Sequence, residues 1–247
     1  MCVVLGLPDG ITACLFDLDG VLTQTAKVHA EAWKQTFDEY LTKRDGSDFK
    51  PFDKVADYDE YVDGLPRYDG VRNFLKSRDI DLPEGSPDDP DDRETICGIG
   101  NRKNDLVLDL IKRDGVQAYE GSVRYVKACR DAGLHRAVVS SSANCRDVLI
   151  AAGIEDLFEA RIDGKVAEER HLQGKPAPDT FLAGARALGV GRAEACVYED
   201  ALAGVQAGRA GDFGYVVGVD RVGQADALRG HGADVVVKDL SELLDDQ

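Results

Sequence analysis

Residues 12–20 read Thr-Ala-Cys-Leu-Phe-Asp-Leu-Asp-Gly. The run from Thr12 to Phe16 is short and apolar, and it ends at Asp17. A short apolar run of this kind, bounded by polar residues and glycine, predicts a buried strand of a parallel sheet. Asp17 and Asp19 are therefore expected just beyond the carboxyl end of that strand.

Similar apolar stretches recur along the chain and alternate with helical patterns. We predict further strands at 136–139, 195–198, 215–219 and 234–237. We predict helices at 122–132, 144–152, 179–188, 202–210 and 224–229, with a short final piece at 241–244. Strands that alternate with helices of this length predict a doubly wound parallel α/β sheet, a Rossmann-like core with right-handed crossovers.

One region departs from this alternation. A chain of 247 residues fits either one large domain or two small ones. Residues 24–115 carry helical patterns without a comparable strand, and residues 81–95 form a proline-rich loop. The first helical pattern has an apolar stripe at Ala30, Trp33, Phe37 and Leu41, and the last has one at Leu106, Val107, Leu110 and Ile111. We therefore predict a helical insert at 24–115 within a core made of 1–23 and 116–247.

Charge and cysteine usage narrow the possible partners. The chain has 30 basic and 46 acidic residues, a net charge of −16, which repels nucleic acid and anionic membranes. No apolar run reaches the roughly 18 residues of a membrane-spanning helix. No basic apolar leader precedes the first strand, so we expect a reduced, cytoplasmic protein. The six cysteines are scattered without a C-x-x-C pair: Cys2, Cys14, Cys97, Cys129, Cys145 and Cys196.

Polar residues follow the predicted strands where ligands bind in open α/β sheets. They are Asp17 and Asp19 after the first strand, Ser140 to Ser142 after the second, Glu199 and Asp200 after the third, and Lys175 in a Gly-Lys-Pro turn before a helix. Two like charges about 4 Å apart repel by roughly 4 kcal/mol at an effective dielectric of 20. Four carboxylates facing one lysine therefore imply a divalent cation, and oxygen-only ligands favour Mg²⁺ over zinc.

These segments resemble the four motifs of the haloacid dehalogenase superfamily. The matching segments are 15–22 (Leu-Phe-Asp-Leu-Asp-Gly-Val-Leu), Ser140, 174–176 (Gly-Lys-Pro) and 198–200 (Tyr-Glu-Asp). The resemblance implies that Asp17 is a nucleophile that forms an aspartyl phosphate and that Asp19 is a general acid and base. It further implies that Ser140 and Lys175 hold the phosphate and that Mg²⁺ is bound at Asp17, Asp19, Glu199 and Asp200, with Glu199 acting through water.

The insert resembles the small helical cap of the branch that contains β-phosphoglucomutase. Residues 25–29 and 32–34 resemble the cap helix whose histidine, here His29, meets the sugar, and Trp33 lies in that match. Residues 63–67 resemble the loop whose arginine, here Arg67, grips the phosphate that is not transferred. Residues 102–105 resemble the segment whose lysine, here Lys103, contacts the sugar phosphate. Lys103 is expected to open a helix and to share its inward stripe with Val107 and Leu110.

Ser142 and Asn144 resemble the core residues that hold the same distal phosphate. Two positions depart from the family pattern: Ala143 stands where a lysine is usual, and Gln24 replaces an acidic residue. The loss of that lysine removes a positive charge from the distal phosphate site. Substrate identity is therefore less constrained by the sequence than the type of reaction.

The resemblance implies a mutase that interconverts β-glucose 1-phosphate and glucose 6-phosphate through a bisphosphate. The expected partner is a small sugar phosphate, and the expected state is a monomer. One alternative is a Mg²⁺-dependent sugar-phosphate phosphatase with the same core residues, which Ala143 favours. Another is a non-catalytic protein whose acidic surface binds a basic partner, but no catalytic motif residue is lost.

Overall fold

The structure is a computed structural model that describes residues 5–244. Cys2 and the outer ends of the predicted core, 1–4 and 245–247, lie outside the described residues. The chain divides into two compact units: one holds the chain up to Gln24 and from Val116 onward, and the other holds Thr25–Gly115.

The first unit contains one parallel sheet of six strands, in the order β3-β2-β1-β4-β5-β6. The strands are β1 Ala13–Phe16, β2 His135–Val139, β3 Ala160–Ile162, β4 Ala195–Glu199, β5 Tyr215–Val219 and β6 Val235–Val237. The helices of both units, in chain order, are α1 Ala26–Asp45, α2 Ala56–Tyr61, α3 Arg67–Ser77, α4 Ile96–Asp114, α5 Glu120–Asp131, α6 Cys145–Ala151, α7 Gly164–Glu169, α8 Asp179–Ala187, α9 Leu202–Ala210 and α10 Ala225–His231. The predicted doubly wound α/β sheet is confirmed.

Alternate residues of the central strands point to opposite faces of this sheet, and both faces are covered. Leu15 joins an apolar layer with Phe181 of α8 and Val205 of α9. Phe16 lies on the other face, where its ring stacks on Tyr198 with centroids 4.4 Å apart and meets Tyr125 of α5 edge-on. Because both faces are buried, β1 reads as a continuous apolar run instead of an alternating one.

Two elements of the first unit were not predicted. The edge strand β3 has only three residues and Arg161 at its centre, so no apolar run marks it. Helix α7 follows directly, capped by the Asp163 carboxylate, which accepts the Val166 amide at 3.0 Å. The predicted final piece at 241–244 is a 3₁₀ helix, Leu240–Leu243, capped by Asp239.

The second unit, Thr25–Gly115, is helical. The predicted stripe of α1 is buried against Phe52 and Phe74, and the Phe37 and Phe74 rings stack with centroids 4.0 Å apart. Residues 81–95 contain neither helix nor strand, as predicted. Helix α4 begins at Ile96, because Thr95 accepts the Gly98 amide through its hydroxyl at 2.9 Å. Lys103 therefore lies well inside α4, and the prediction that it opens the helix is wrong.

No helix within residues 5–244 combines the length and apolar character that a membrane crossing requires. The five cysteines of the described part are all buried and none forms a disulfide.

Candidate active site

The register of the sheet brings the predicted carboxylates together at the carboxyl ends of the central strands. Phe16, the last residue of β1, pairs with Val138 of β2 and with Tyr198 of β4, so the three strands end within one residue of one another. Asp17 follows Phe16, and its amide donates to the Tyr198 carbonyl at 2.9 Å. Glu199 is the last residue of β4 and Asp200 follows it. Asp17 and Asp200 are each only 6% exposed and Glu199 is fully buried.

Lys175 is a buried lysine that contacts these carboxylates at the carboxyl ends of the strands. Its ammonium donates to Asp17 Oδ1 at 2.5 Å and to Glu199 Oε1, and it lies 3.4 Å from the Val139 carbonyl oxygen. The Phe181 ring of α8 lies below it, with Nζ 5.0 Å from the centroid. An ammonium that is 2% exposed and bridges two carboxylates is held in one place, so its charge is directed at the Asp17 carboxylate.

Two glycines make room for the carboxylates. A Cβ on Gly20 would lie 1.7 Å from Asp200 Oδ2, and a Cβ on Gly204 of α9 would lie 1.8 Å from Glu199 Oε1. Gly20 also has a φ of +88°, a backbone region that favours glycine. The other Glu199 oxygen accepts the Ala201 amide at 2.9 Å. The backbone around the site is therefore shaped to the carboxylates it holds.

Three of the four predicted metal ligands come together. One carboxylate oxygen each from Asp17, Glu199 and Asp200 lies within 4.8 Å of the others, and all three residues are buried. Asp19 is not part of this group. Three buried carboxylates face one ammonium, which leaves an excess of negative charge, and their oxygens are ligands that hard divalent cations prefer. The residues present therefore fit a divalent cation.

The pKa values of Asp17 and Glu199 reflect the same excess of negative charge. Burial raises the pKa of Asp17 to about 6, although Lys175 lowers it. Burial also raises the pKa of Glu199 to about 7, against the lowering effect of Lys175. Burial lowers the pKa of Lys175, but Asp17 and Glu199 outweigh burial and raise it above its ordinary value. One lysine does not neutralise the carboxylates, and a bound cation would lower both carboxyl pKa values.

Asp19 lies in a tight turn after β1. The Gly20 amide donates to the Thr23 carbonyl at 2.8 Å, and the Thr23 hydroxyl donates to the Leu18 carbonyl at 3.2 Å. The negative charge of Asp19 is one of the causes that raise the pKa of Asp17, after burial. Asp19 is only partly buried, whereas Asp17 is almost fully buried. The two carboxylates therefore share one loop but differ in their access to solvent.

Residues 140–144, which follow β2, form successive turns in which a serine hydroxyl accepts a backbone amide two residues further on. The Ser142 amide donates to Ser140 Oγ at 3.0 Å, and the Asn144 amide donates to Ser142 Oγ at 3.2 Å. The edge strand β3 fixes the first residue of this segment, because the Ser140 amide donates to the Ile162 carbonyl at 2.9 Å. A Cβ on Gly164 would lie 2.8 Å from the Ser141 carbonyl oxygen. Ser140, Ser142 and Asn144 thus lie on one loop whose support, β3 and Gly164, the sequence did not reveal.

Two further residues of the first unit support the site and were also missed. Arg221 donates through Nε to the Gly20 carbonyl at 2.7 Å, and its guanidinium stacks 3.6 Å from the Tyr119 ring centroid. Gln224 donates through Nε2 to the Asp200 carbonyl at 3.0 Å. Both follow β5, so the rule that singles out residues after strand ends could have found them.

The second unit holds the other predicted residues in two groups. In the first group, Lys103 donates to His29 Nδ1 at 2.8 Å, and its ammonium lies 4.6 Å from the Trp33 ring centroid. Burial, and then the Lys103 charge, lower the pKa of His29 well below its ordinary value. An ammonium can only donate, so His29 is neutral with its proton on Nε2. Trp33 is itself a core residue that stacks on Phe37.

Arg67 forms the second group, at the first position of α3 after Pro66. Its guanidinium lies 4.8 Å from the Tyr68 ring centroid and donates to Tyr68 Oη at 3.0 Å. The structure thus brings Asp17, Lys175, Glu199 and Asp200 together at the carboxyl ends of the strands. In the helical unit it joins His29, Trp33 and Lys103 in one cluster, while Arg67 contacts Tyr68. The roles assigned to all these residues remain predictions.

Known proteins match this chain over most of its length. The family model of haloacid dehalogenase-like hydrolases matches residues 11–212. The β-phosphoglucomutase of Mycobacterium tuberculosis is 58% identical over 247 residues, which cover 98% of this chain and 94% of that protein. The β-phosphoglucomutase of Bacillus subtilis is 30% identical over 231 residues, covering 94% of this chain and 91% of that protein.

A solved structure agrees with these relatives. The β-phosphoglucomutase structure from Clostridium difficile superimposes with a TM-score of 0.74 at 25% identity, covering 94% of this chain and 93% of that one. The chain belongs to the haloacid dehalogenase-like hydrolase family, in the branch that contains the β-phosphoglucomutases.

Proposed function

We propose that this protein is a β-phosphoglucomutase, an isomerase that interconverts β-glucose 1-phosphate and glucose 6-phosphate. The observation that carries the proposal is the 58% identity to the Mycobacterium tuberculosis enzyme over 98% of the chain. The match includes the helical unit as well as the sheet that holds Asp17. The buried Asp17 carboxylate beside the Lys175 ammonium and two further carboxylates supports the proposal.

Asp17 is the nucleophile in this proposal. An Asp17 oxygen attacks the phosphoryl group at C1 of the bisphosphate, which leaves an aspartyl phosphate on the enzyme and releases glucose 6-phosphate. The aspartyl phosphate then passes its phosphoryl group to the C6 hydroxyl of β-glucose 1-phosphate and regenerates the bisphosphate. A carboxylate attacks an anionic phosphoryl group only if nearby positive charge offsets the repulsion.

Lys175 supplies part of that positive charge and orients the nucleophile. Its ammonium already donates to Asp17 Oδ1, and Glu199 on its other side keeps it from turning away. Ser140 is assigned to hold the transferred phosphoryl group from the neighbouring strand end. Asp17, Glu199 and Asp200 would hold Mg²⁺, which when bound supplies further charge neutralisation for the transferred group.

Asp19 is the general base and general acid for the sugar oxygen in this proposal. It takes the proton from the attacking sugar hydroxyl and returns it to the leaving oxygen when the bond to the sugar breaks. Its partial exposure suits a group that meets the sugar, whereas the buried Asp17 carboxylate meets the phosphoryl group. The two residues therefore carry different roles despite their closeness in sequence.

The residues of the helical unit are assigned to the sugar phosphate. Neutral His29 offers an Nε2 proton to a sugar hydroxyl, while its Nδ1 is held by Lys103. Arg67, with Ser142 and Asn144, is assigned to the phosphate that stays on the sugar. These contacts favour the sugar hydroxyl over water as the acceptor from the aspartyl phosphate.

A sugar-phosphate phosphatase is the second candidate, and Ala143 favours it. Without the lysine usual at this position, the distal phosphate is held by fewer charges, so water competes better for the aspartyl phosphate. The two candidates share Asp17, Asp19 and Lys175 and differ in the acceptor of the phosphoryl group.

The test is to incubate the pure protein with Mg²⁺, β-glucose 1-phosphate and a trace of β-glucose 1,6-bisphosphate, and to follow glucose 6-phosphate and inorganic phosphate side by side. A large excess of glucose 6-phosphate supports the mutase, and mainly inorganic phosphate supports the phosphatase. Asp17→Asn should lower turnover by at least about 10³-fold. The exposed Asp226 serves as the control, since Asp226→Asn should keep full activity. An active Asp17→Asn variant would refute both candidates.

A further inference from the structure

Arg67 differs from every other arginine of the helical unit. The structure describes all of residues 25–115, and within them Arg67 alone has no carboxylate within ion-pair distance. The other arginines in this range are each paired with a carboxylate: Arg44, Arg72, Arg78, Arg93, Arg102 and Arg113. In a chain with 46 acidic residues, a partly buried guanidinium that lacks an acidic partner keeps its charge for an incoming anion.

A neutral partner replaces the carboxylate. Tyr68 accepts one N–H of Arg67 through its hydroxyl and stacks its ring against the guanidinium. A guanidinium has five N–H donors, so this hydrogen bond leaves four of them. The stack and the hydrogen bond together limit rotation of the side chain without neutralising it.

The Tyr68 hydroxyl is itself held in place. It donates to Asn101 Oδ1 at 3.0 Å, which leaves its lone pairs to accept from Arg67. Asn101 uses both protons of its amide nitrogen on backbone carbonyls, at 3.0 Å to Pro87 and at 2.8 Å to Asp89. These two bonds determine which way the amide faces and therefore place its oxygen toward Tyr68.

The 81–95 loop, whose carbonyls accept from Asn101, is stabilised by hydrogen bonds among its own residues. The Asp89 carboxylate, 7% exposed, accepts the Thr95 hydroxyl at 2.8 Å and the Ser86 amide at 3.1 Å. On the other side, Gly100 leaves the space that the Tyr68 ring needs, because a Cβ there would lie 2.7 Å from Tyr68 Cδ1. A hydrogen-bonded chain thus runs from the 81–95 loop through Asn101 and Tyr68 to Arg67.

We infer that Tyr68 and Asn101 are positioning residues that hold Arg67, with its charge intact, for the phosphate that remains on the sugar. This inference rests on the role of Arg67 under the proposed function. It gives the 81–95 loop a role in substrate affinity.

The test measures KM and kcat for β-glucose 1-phosphate in Tyr68→Phe, Asn101→Ala, Arg67→Ala and the double variant Tyr68→Phe/Arg67→Ala. Tyr68→Phe keeps the ring and removes one hydrogen-bonding group, so we expect KM to rise about 3- to 10-fold while kcat changes less. Asn101→Ala should act in the same direction. In the Arg67→Ala background Tyr68→Phe should raise KM no further, because it acts through Arg67.

The matched control is Tyr40→Phe, which removes a hydroxyl from a buried ring of the same unit, whereas the Tyr68 ring is half-buried. Thermal unfolding of every variant separates a loss of folding from a loss of positioning, and Tyr68→Phe decides the matter if Asn101→Ala is unstable. A Tyr68→Phe KM equal to that of the control, beside a raised KM in Arg67→Ala, would overturn the inference and leave the proposed function standing. An equal rise in KM from Tyr68→Phe in both backgrounds would also overturn it. A wild-type KM in Arg67→Ala would remove the role of Arg67 and the inference with it.

Discussion

Gly204→Ala tests whether the close packing of α9 against Glu199 holds the site together. Gly204 lies inside α9 and its φ is not in the left-handed region, so the backbone itself accepts alanine. Alanine in a helix interior is favoured over glycine by about 1 kcal/mol. Helix propensity alone therefore predicts a more stable protein.

Packing predicts the opposite. The new Cβ would lie 1.8 Å from Glu199 Oε1 and 2.0 Å from its Cδ, so the carboxylate must move. Glu199 is fully buried and its ion pair with Lys175 is buried as well, so it has no solvent to move into. Breaking a buried ion pair costs about 3–5 kcal/mol. The net loss is about 2–4 kcal/mol, or a Tm lower by about 4–16 °C for a protein of this size.

Thermal unfolding and turnover of Gly204→Ala measure this effect. The matched control is Gly230→Ala in α10, where the new Cβ would meet no atom within 4 Å and helix propensity should raise Tm. In a Glu199→Ala background the clash is absent, so Gly204→Ala should stabilise there by about 1 kcal/mol. A Gly204→Ala protein that unfolds at or above the wild-type temperature with unchanged turnover would refute the reasoning.

Three further predictions concern buried polar groups. Thr180 has a buried hydroxyl with no hydrogen-bond partner among the described residues, so Thr180→Val should stabilise the protein by about 1 kcal/mol in urea unfolding. The raised pKa values of Asp17 and Glu199 mean that, without a cation, stability falls as the pH rises from about 4 to about 7, because the carboxyl groups lose protons they hold more tightly when folded. Mg²⁺ should therefore raise Tm more at pH 8 than at pH 5. Lys103→Met removes the second cause that lowers the pKa of His29, so that pKa should rise in an NMR titration yet stay below its ordinary value, because burial remains.

Each of these predictions has its own control. Thr42 is exposed, so Thr42→Val should change stability little, and a destabilised Thr180→Val protein would indicate a partner for that hydroxyl. The pH dependence of the Mg²⁺ effect should shrink in Asp17→Asn, and a Tm gain equal at pH 5 and pH 8 in the wild type would contradict the assignment. Lys112 is exposed on the same helix as Lys103, so Lys112→Met should leave the His29 titration unchanged.

Apolar runs and the residues that end them were sufficient to predict five of the six strands and the central carboxylates. Thr12 to Phe16 predicted β1 because a strand covered on both faces must be apolar along its whole length. The parallel order then placed Asp17, Ser140 and Glu199 at one edge. Strand β3 escaped prediction because an edge strand of three residues needs no apolar run, and the start of α4 depended on the Thr95 cap.

The contacts that support the site could not be predicted from sequence patterns, although the position of Arg221 after β5 could have marked that residue. Gly204 and Glu199 are five residues apart, but their contact depends on how α9 packs against the end of β4. Arg221 reaches Gly20 across 201 positions of the sequence. Asn101 and Tyr68, which share a hydrogen bond, are 33 positions apart in the sequence. Such pairs leave no local signal, since hydrogen bonds between distant residues follow from the packing of elements.

The sequence by itself therefore determined the class of fold and the residue types that carry the chemistry, because burial and strand ends impose local patterns on the chain. Only the tertiary structure decided how that chemistry is held in place. It paired Lys175 with two carboxylates, lowered the pKa of His29 through burial and Lys103, and left Arg67 without an acidic partner among residues 5–244. Charge balance and pKa values depend on distances between residues remote in sequence, and those distances exist only after the chain has packed.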